Sequence, residues 1–266
     1  MSGQDDTRKG GGTADQAAAG AGALVEAQGL AVGYGTTPAV VDISFAAAAG
    51  QRVALLGPNG GGKTTLLRAV SGELAPLAGA LTVRGATSTV PQTDRTRLDY
   101  PVSALDVATM GSLARLAWWR RPGRRERQAA RAALARVGAA GLADRTYGEL
   151  SGGQRQRVLI ARGLVREAPI VLLDEPFAGL DATSAAGLER LIASLAAEGR
   201  AVLIATHDLV QARGWDRVLC LNGAQIAFGE PDEVLSRGVL EQTYGDELIE
   251  IPGGGRAGIM SHHSHD

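Results

Sequence analysis

The amino-acid sequence predicts an α/β protein: a largely parallel sheet flanked by helices and interrupted by a helical insertion. Three observations predict it. Short apolar runs at 53–56, 170–173, 201–205 and 218–221 have the length and composition of buried strands. Helical patterns lie between them: Leu66, Leu67 and Val70 share one face, and 185–197 reads as a helix. Alternation of this kind builds helices onto the faces of a parallel sheet. Residues 92–150 differ from both halves. They are rich in Arg and Ala, and Ala130, Leu134 and Val137 recur at helical spacing, which marks an inserted helical unit.

The remaining elements follow in order. Residues 1–23 are Gly, Ala and polar without periodicity, and read as a disordered tail. Residues 30–34 and 43–45 read as strands separated by polar turns. The run at 53–56 leads straight into a glycine cluster, and a helical pattern follows Lys63. Residues 24–251 form one domain with the insertion at about 92–150. Residues 252–266 are Gly-rich, end in Ser261-His262-His263-Ser264-His265-Asp266, and read as a flexible tail.

Composition narrows the function. At 266 residues and 45% hydrophobic, the chain can bury a sizeable core. A net charge of −1 gives no global field for nucleic acid, and 4% aromatics leave little for base stacking. The single cysteine, Cys220, excludes an internal disulfide framework and a Cys-built zinc site. It reads as inert core in an apolar strand. No apolar run reaches the length of a membrane span and no secretory leader is legible. The expectation is a cytoplasmic chain, soluble when isolated, that can sit peripherally against a membrane.

The strongest local signal is Gly57-Pro58-Asn59-Gly60-Gly61-Gly62-Lys63-Thr64-Thr65. It matches G-x-x-x-x-G-K-[ST] with a strand before it and a helix after it. Glycines let the backbone wrap phosphates and aim its N–H groups inward, at a helix N-terminus whose dipole favours anions. Lys63 is placed to reach the β- and γ-phosphates, and the Thr64 hydroxyl to ligate Mg²⁺. Lys63 is the only lysine after Lys9 in a chain that otherwise uses arginine. A compact ammonium is not replaced by a guanidinium in such a loop.

A second signal is Ile170-Val171-Leu172-Leu173-Asp174-Glu175-Pro176. Four apolar residues make a buried strand with two carboxylates at its C-terminal end, where open α/β sheets collect ligands. Asp174 is read as a Mg²⁺ ligand and Glu175 as the general base that polarises the attacking water.

The third is Leu150-Ser151-Gly152-Gly153-Gln154-Arg155-Gln156-Arg157. Ser151 and the Gly152 and Gly153 amides at a helix start form an anion site. Through this stretch the sequence resembles the ATP-binding cassette (ABC) ATPases, over about 24–233. The resemblance implies a P-loop, RecA-like core with an antiparallel β side-sheet and an inserted α-helical subdomain. It implies that Ser151, Gly152, Gly153 and Gln154 bind the γ-phosphate of ATP held by a second copy, so that a homodimer encloses two ATP molecules. It assigns Gln92 to sensing Mg²⁺ and the γ-phosphate, Asp181 to the loop crossing the dimer interface, His207 to the γ-phosphate, and Tyr34 to stacking on adenine. Phe177-Ala178 is a mild departure from the family's usual Thr-Ser or Thr-Ala after Pro176.

The cargo is read from resemblance alone. Val90-Pro91-Gln92, Leu98-Asp99-Tyr100-Pro101, Leu105-Asp106-Val107, Met110-Gly111 and Thr243-Tyr244-Gly245 resemble the zinc, manganese and iron importers of the family. Membrane-spanning permease subunits and, indirectly, an extracytoplasmic metal-binding protein are the implied partners, with no nucleic acid. Import of iron chelates or haem and a non-transport role in cofactor assembly are the alternatives. His262, His263 and His265 can bind a divalent ion weakly but read as a solubilising tail. Trp118-Trp119-Arg120-Arg121 with Arg124, Arg125 and Arg127 is the one dense basic-aromatic patch. It reads as a solvated helix edge with half-packed tryptophans, ahead of a contact to a permease or to lipid headgroups.

Overall fold

The computed structural model describes residues 22–91 and 101–245, with the backbone of two short strands at 248–250 and 257–259. Gln92, Leu98, Asp99, Tyr100, the stretch 1–21 and the tail histidines lie outside the described residues. The chain begins β1 (Ala23–Tyr34), β2 (Thr37–Ala48), β3 (Arg52–Leu56), α1 (Lys63–Val70), β4 (Ala78–Val83) and β5 (Thr87–Val90). A helical stretch follows: α2 (Ala104–Thr109), a 3-10 helix (Met110–Arg115), α3 (Arg124–Arg136) and α4 (Gly152–Val165). Then come β6 (Ile170–Asp174), α5 (Ala182–Ala197), β7 (Ala201–Thr206), α6 (Leu209–Ala212), β8 (Arg217–Leu221) and β9 (Gln225–Gly229). Two short helices, α7 (Pro231–Val234) and α8 (Arg237–Tyr244), and the pair β10 (Leu248–Glu250) and β11 (Ala257–Ile259) complete it.

The α/β expectation holds. The main sheet has the order β5-β6-β7-β3-β8-β9. Its first five strands run parallel, and β9 returns antiparallel on β8. Side chains alternate across each strand, so neighbouring residues enter opposite layers. Val53 and Leu55 join Leu172, Leu203 and Leu219 in one core with Leu66, Leu67 and Val70 of α1. Ala54 and Leu56 join Val171, Leu173, Val202 and Ile204 in the other, beneath the inserted helices and α5. Leu172 and Leu203 are fully buried, each worth roughly 1.5–3 kcal/mol of transfer free energy.

The antiparallel side-sheet is β2-β1-β4. Its first two strands run well past the expected 30–34 and 43–45. The flanking residues include six alanines together with Glu26, Gly29, Pro38 and Asp42, types depleted in strands, yet Val25, Ala27 and Ala47 are buried in the core that also holds α1. Tertiary burial settles them as strand.

In the inserted region, α3 buries Ala130, Ala133 and Leu134, and Val137 caps it. The basic-aromatic patch departs from the sequence expectation. Pro122 and Gly123 interrupt helical geometry, so α3 starts only at Arg124. Trp118 and Trp119 stand in the preceding turn, both exposed, Trp118 nearly fully, instead of half packed.

Candidate active site

Strand order builds the site. β6, β7 and β3 are adjacent and parallel, with Leu56 opposite Thr206 and Asp174 opposite Ala205. Their C-terminal ends deliver the glycine loop, the Asp174-Glu175 pair and His207 to one edge of the sheet. β5 ends beside them, with Val90 opposite Leu173.

The glycine loop is shaped by what its backbone must avoid. Gly62 caps α1 in the left-handed region at φ 98°, and a Cβ there would lie 2.0 Å from Val40 Cγ1. A Cβ on Gly57 would lie 2.1 Å from the Leu221 carbonyl oxygen. These glycines let the loop press against β2 and β8. Gly60 has nothing within 4 Å of such a Cβ, so the loop's outer side is open. Lys63 is buried, and its Nζ donates to the carbonyls of Gly57 (2.6 Å) and Pro58 (3.1 Å). The ammonium is thus folded over the loop's own carbonyls. Thr65, also buried, faces inward from the first turn of α1.

The carboxylates are held on different partners. The Thr64 hydroxyl donates to Asp174 Oδ2 at 2.8 Å, and Asp174 Oδ1 is buried without a hydrogen-bond partner. Burial raises the Asp174 pKa above the usual range and the Glu175 charge adds to this, against the Thr64 hydrogen bond. A buried orphan carboxylate oxygen beside a hydroxyl suits a hard divalent cation, so these residues fit Mg²⁺. Glu175 is buried at φ 47° and anchored by its N–H to the Ala205 carbonyl at 3.0 Å. This left-handed conformation is strained for a side chain of that size. Glu175 Oε1 lies 3.9 Å from Lys63 Nζ and Oε2 lies 2.9 Å from His207 Nδ1. An ionised Glu175 only accepts, so Nδ1 carries the hydrogen. That bond, foremost, raises the His207 pKa.

The Ser151 turn stands apart. Ser151 is the N-cap of α4, its hydroxyl accepting from Gln154 N at 3.4 Å while Gln154 Oε1 accepts from Ser151 N at 3.0 Å. This capping box fixes the helix start, and Ser151 and Gly152 lie exposed. A Cβ on Gly153 would touch Leu180 at 3.4 Å. Asp181 caps α5, accepting from Ser184 N (2.9 Å) and Ser184 Oγ (2.8 Å), bonds that lower its pKa. Among the described residues, no hydrogen bond or ion pair joins the Ser151 turn to the loop at 57–65.

A family model described as ABC transporter matches residues 40–178. The manganese transport system ATP-binding protein MntB of Bacillus subtilis is 37% identical over 84% of this chain and 93% of its own length. The chain belongs to the ABC transporter family. It binds and hydrolyses ATP, as ATPases of that family do. The zinc transport system ATP-binding protein TroB of Treponema pallidum is 35% identical over 91% of this chain and 95% of its own. A solved inward-facing ABC transporter of the metal-chelate type aligns with TM-score 0.76 and 30% identity, over 83% of this chain and 88% of that one.

In this ABC ATPase, Lys63, Thr64, Asp174, Glu175 and His207 come together, while Ser151, Gly152, Gly153, Gln154 and Asp181 gather elsewhere. Tyr34 closes β1 half exposed, and its hydroxyl accepts from Arg68 Nη1 at 3.0 Å. Sequence reasoning missed Arg68. Its signal was its place four residues after Thr64, on the same side of α1. Val40, which sets the need for glycine at 62, carried no signal in the sequence.

Proposed function

We propose that this chain energises import of a divalent metal ion, zinc or manganese, working as the ATPase subunit against the cytoplasmic face of a membrane. The observation that carries the reading is the near-full-length likeness to relatives named for manganese and zinc transport. The Leu105-Asp106-Val107 and Met110-Gly111 motifs support it. Among the described residues no helix is long and apolar enough to cross a membrane, so permease subunits supply the path. An extracytoplasmic metal-binding protein would deliver the ion to them.

We assign the site residues the roles that the resemblance implies. Gly57, Pro58, Asn59, Gly60, Gly61, Gly62, Lys63, Thr64 and Thr65 cradle the ATP phosphates, and Tyr34 stacks on adenine. Phosphate oxygens offer Lys63 a charged acceptor in place of two carbonyls. Thr64, Asp174 and Gln92 would hold Mg²⁺, which supplies charge neutralisation at the β- and γ-phosphate oxygens. Glu175 takes a proton from the attacking water while His207 holds its other carboxylate oxygen. Ser151, Gly152, Gly153 and Gln154 serve ATP bound by a second copy, and Asp181 lies along the same interface. Two copies closing on two ATP molecules would rock the permease through the inserted helices.

The test is cellular metal content by mass spectrometry in strains carrying the native chain or Glu175→Gln, grown under zinc or manganese limitation. A selective fall in one metal is expected and names the cargo. The likeness to a metal-chelate transporter favours a second reading, import of an iron chelate or haem. Unchanged zinc and manganese with a fall in iron would favour it. No change in any metal, with ATP hydrolysis intact in the native protein, would move the chain to a non-transport role such as cofactor assembly.

A further inference from the structure

Seven large hydrophobic side chains stand exposed among the described residues, and four of them fall within 110–119: Met110, Leu113, Trp118 and Trp119. Trp118 is 92% exposed and Trp119 68%. Their rings meet edge to face with centroids 5.7 Å apart, so each indole's neighbour is the other. Leaving two indoles in water is unfavourable, and a concentrated exposed apolar patch marks a contact surface.

The charge around them is one-sided. Residues 110–127 hold six arginines and one acid, Glu126, in a chain of net charge −1. Arg127 is paired with Asp106 at 2.8 Å and Arg115 with Glu167. Glu126 turns its carboxylate onto Gly123 N at 2.7 Å, capping α3. Arg120, Arg121, Arg124 and Arg125 make no ion pair among the described residues. Four unpaired guanidinium groups therefore flank a projecting indole pair.

We propose that residues 110–127 seat this chain on an anionic lipid surface. Trp118 and Trp119 enter the headgroup layer, and Arg120, Arg121, Arg124 and Arg125 bind lipid phosphates. Indoles, apolar with one polar N–H, settle at the membrane–water boundary. The planar guanidinium matches phosphate in a two-pronged geometry. A side chain as exposed as Trp118 is a wedge that enters a soft layer, whereas a protein partner would have to offer it a pocket with acids around it. The proposal rests on the reading that the chain works against a membrane. It names a lipid contact additional to the permease.

The test uses the purified full chain and sedimentable vesicles of phosphatidylcholine alone or mixed with phosphatidylglycerol. The native chain is expected to partition into the anionic vesicles roughly 10²–10³-fold better than into neutral ones, about fivefold for each of the four arginines. Partition should fall from about 0.1 M to about 1 M salt, as the screening length drops from about 10 Å to about 3 Å. Each of Arg120→Gln, Arg121→Gln, Arg124→Gln and Arg125→Gln is expected to lower partition by about fivefold, and W118A/W119A by roughly tenfold. ATP hydrolysis of these variants in solution should match the native rate, which also shows that they fold. Equal partition of native chain and W118A/W119A overturns the proposal. So does a native chain that ignores vesicles but is held by detergent-solubilised permease and released by W118A/W119A, which would assign the patch to a protein. Vesicle partition needs no transport, so a failed metal-content experiment and a failed vesicle experiment are read separately.

Discussion

The carboxylate edge and the Ser151 turn are both anion-binding geometries, yet they are built in opposite ways. At the edge, Lys63, Thr64, Asp174, Glu175 and His207 are joined by contacts of 2.8, 2.9 and 3.9 Å, and the two carboxylates are buried. At the turn, Ser151 and Gln154 cap each other reciprocally, and Ser151 and Gly152 face solvent. Buried charged groups must be interlocked to be tolerated. A solvated helix N-terminus needs only its own cap. The difference fits the proposal that one chain carries two half-sites, each completed by a second copy.

The comparison can be broken in stages, the largest effect first. Glu175→Gln keeps the side chain's shape but not its basicity, so ATP turnover is expected to fall by about 10²–10⁴-fold while nucleotide binding survives. Near-native turnover in a steady-state assay would remove Glu175 from the base role. Lys63→Ala is expected to weaken both nucleotide affinity and turnover, the loss of a charge-assisted phosphate contact costing about 1.5–3 kcal/mol. Isothermal titration with ATP checks it, and unchanged affinity would count against the phosphate loop. Ser151→Ala removes the capping oxygen of α4. It should cost about 1 kcal/mol in thermal unfolding while leaving ATP affinity of the lone chain unchanged. A fall in single-chain affinity would place the turn at its own nucleotide.

The smallest effect is a titration. The Glu175 hydrogen bond raises the His207 pKa above 6.5, against the opposing effect of burial. A raised folded-state value means the contact's stabilisation is complete below the unfolded pKa of about 6.5 and is lost as pH rises through the folded value. NMR titration of His207 should therefore show a midpoint above 6.5 that moves down in Glu175→Gln. A midpoint insensitive to that substitution would break the Glu175–His207 link.

Much of this was legible in the sequence because its chemistry is local. Glycines before Lys63, apolar residues before Asp174 and the Ser151-Gly152-Gly153 turn at a helix start are short-range patterns, and the parallel strands carried the first two to one edge. Other features depend on distant neighbours. The full length of β1 and β2 rests on burial of Ala27, Phe45 and Ala47, which composition understates. The left-handed backbone of Glu175 is held by the Ala205 carbonyl on the next strand, which no motif encodes. Arg68 reaches Tyr34 across 34 positions of sequence. The exposure of Trp118 could have been suspected from Pro122-Gly123, which end any helix reaching back to it.

The central claim, that each ATP lies between the loop of one copy and the Ser151 turn of another, is tested most directly by cross-linking Asn59→Cys/Ser151→Cys in native membranes. Cys220, the lone native cysteine, is buried with its thiol pushed up to about 11, so it stays silent. The account predicts a disulfide-linked dimer between position 59 of one copy and 151 of the other that forms with ATP and disappears without it. Monomers under both conditions, in membranes where the native chain still hydrolyses ATP, would contradict it.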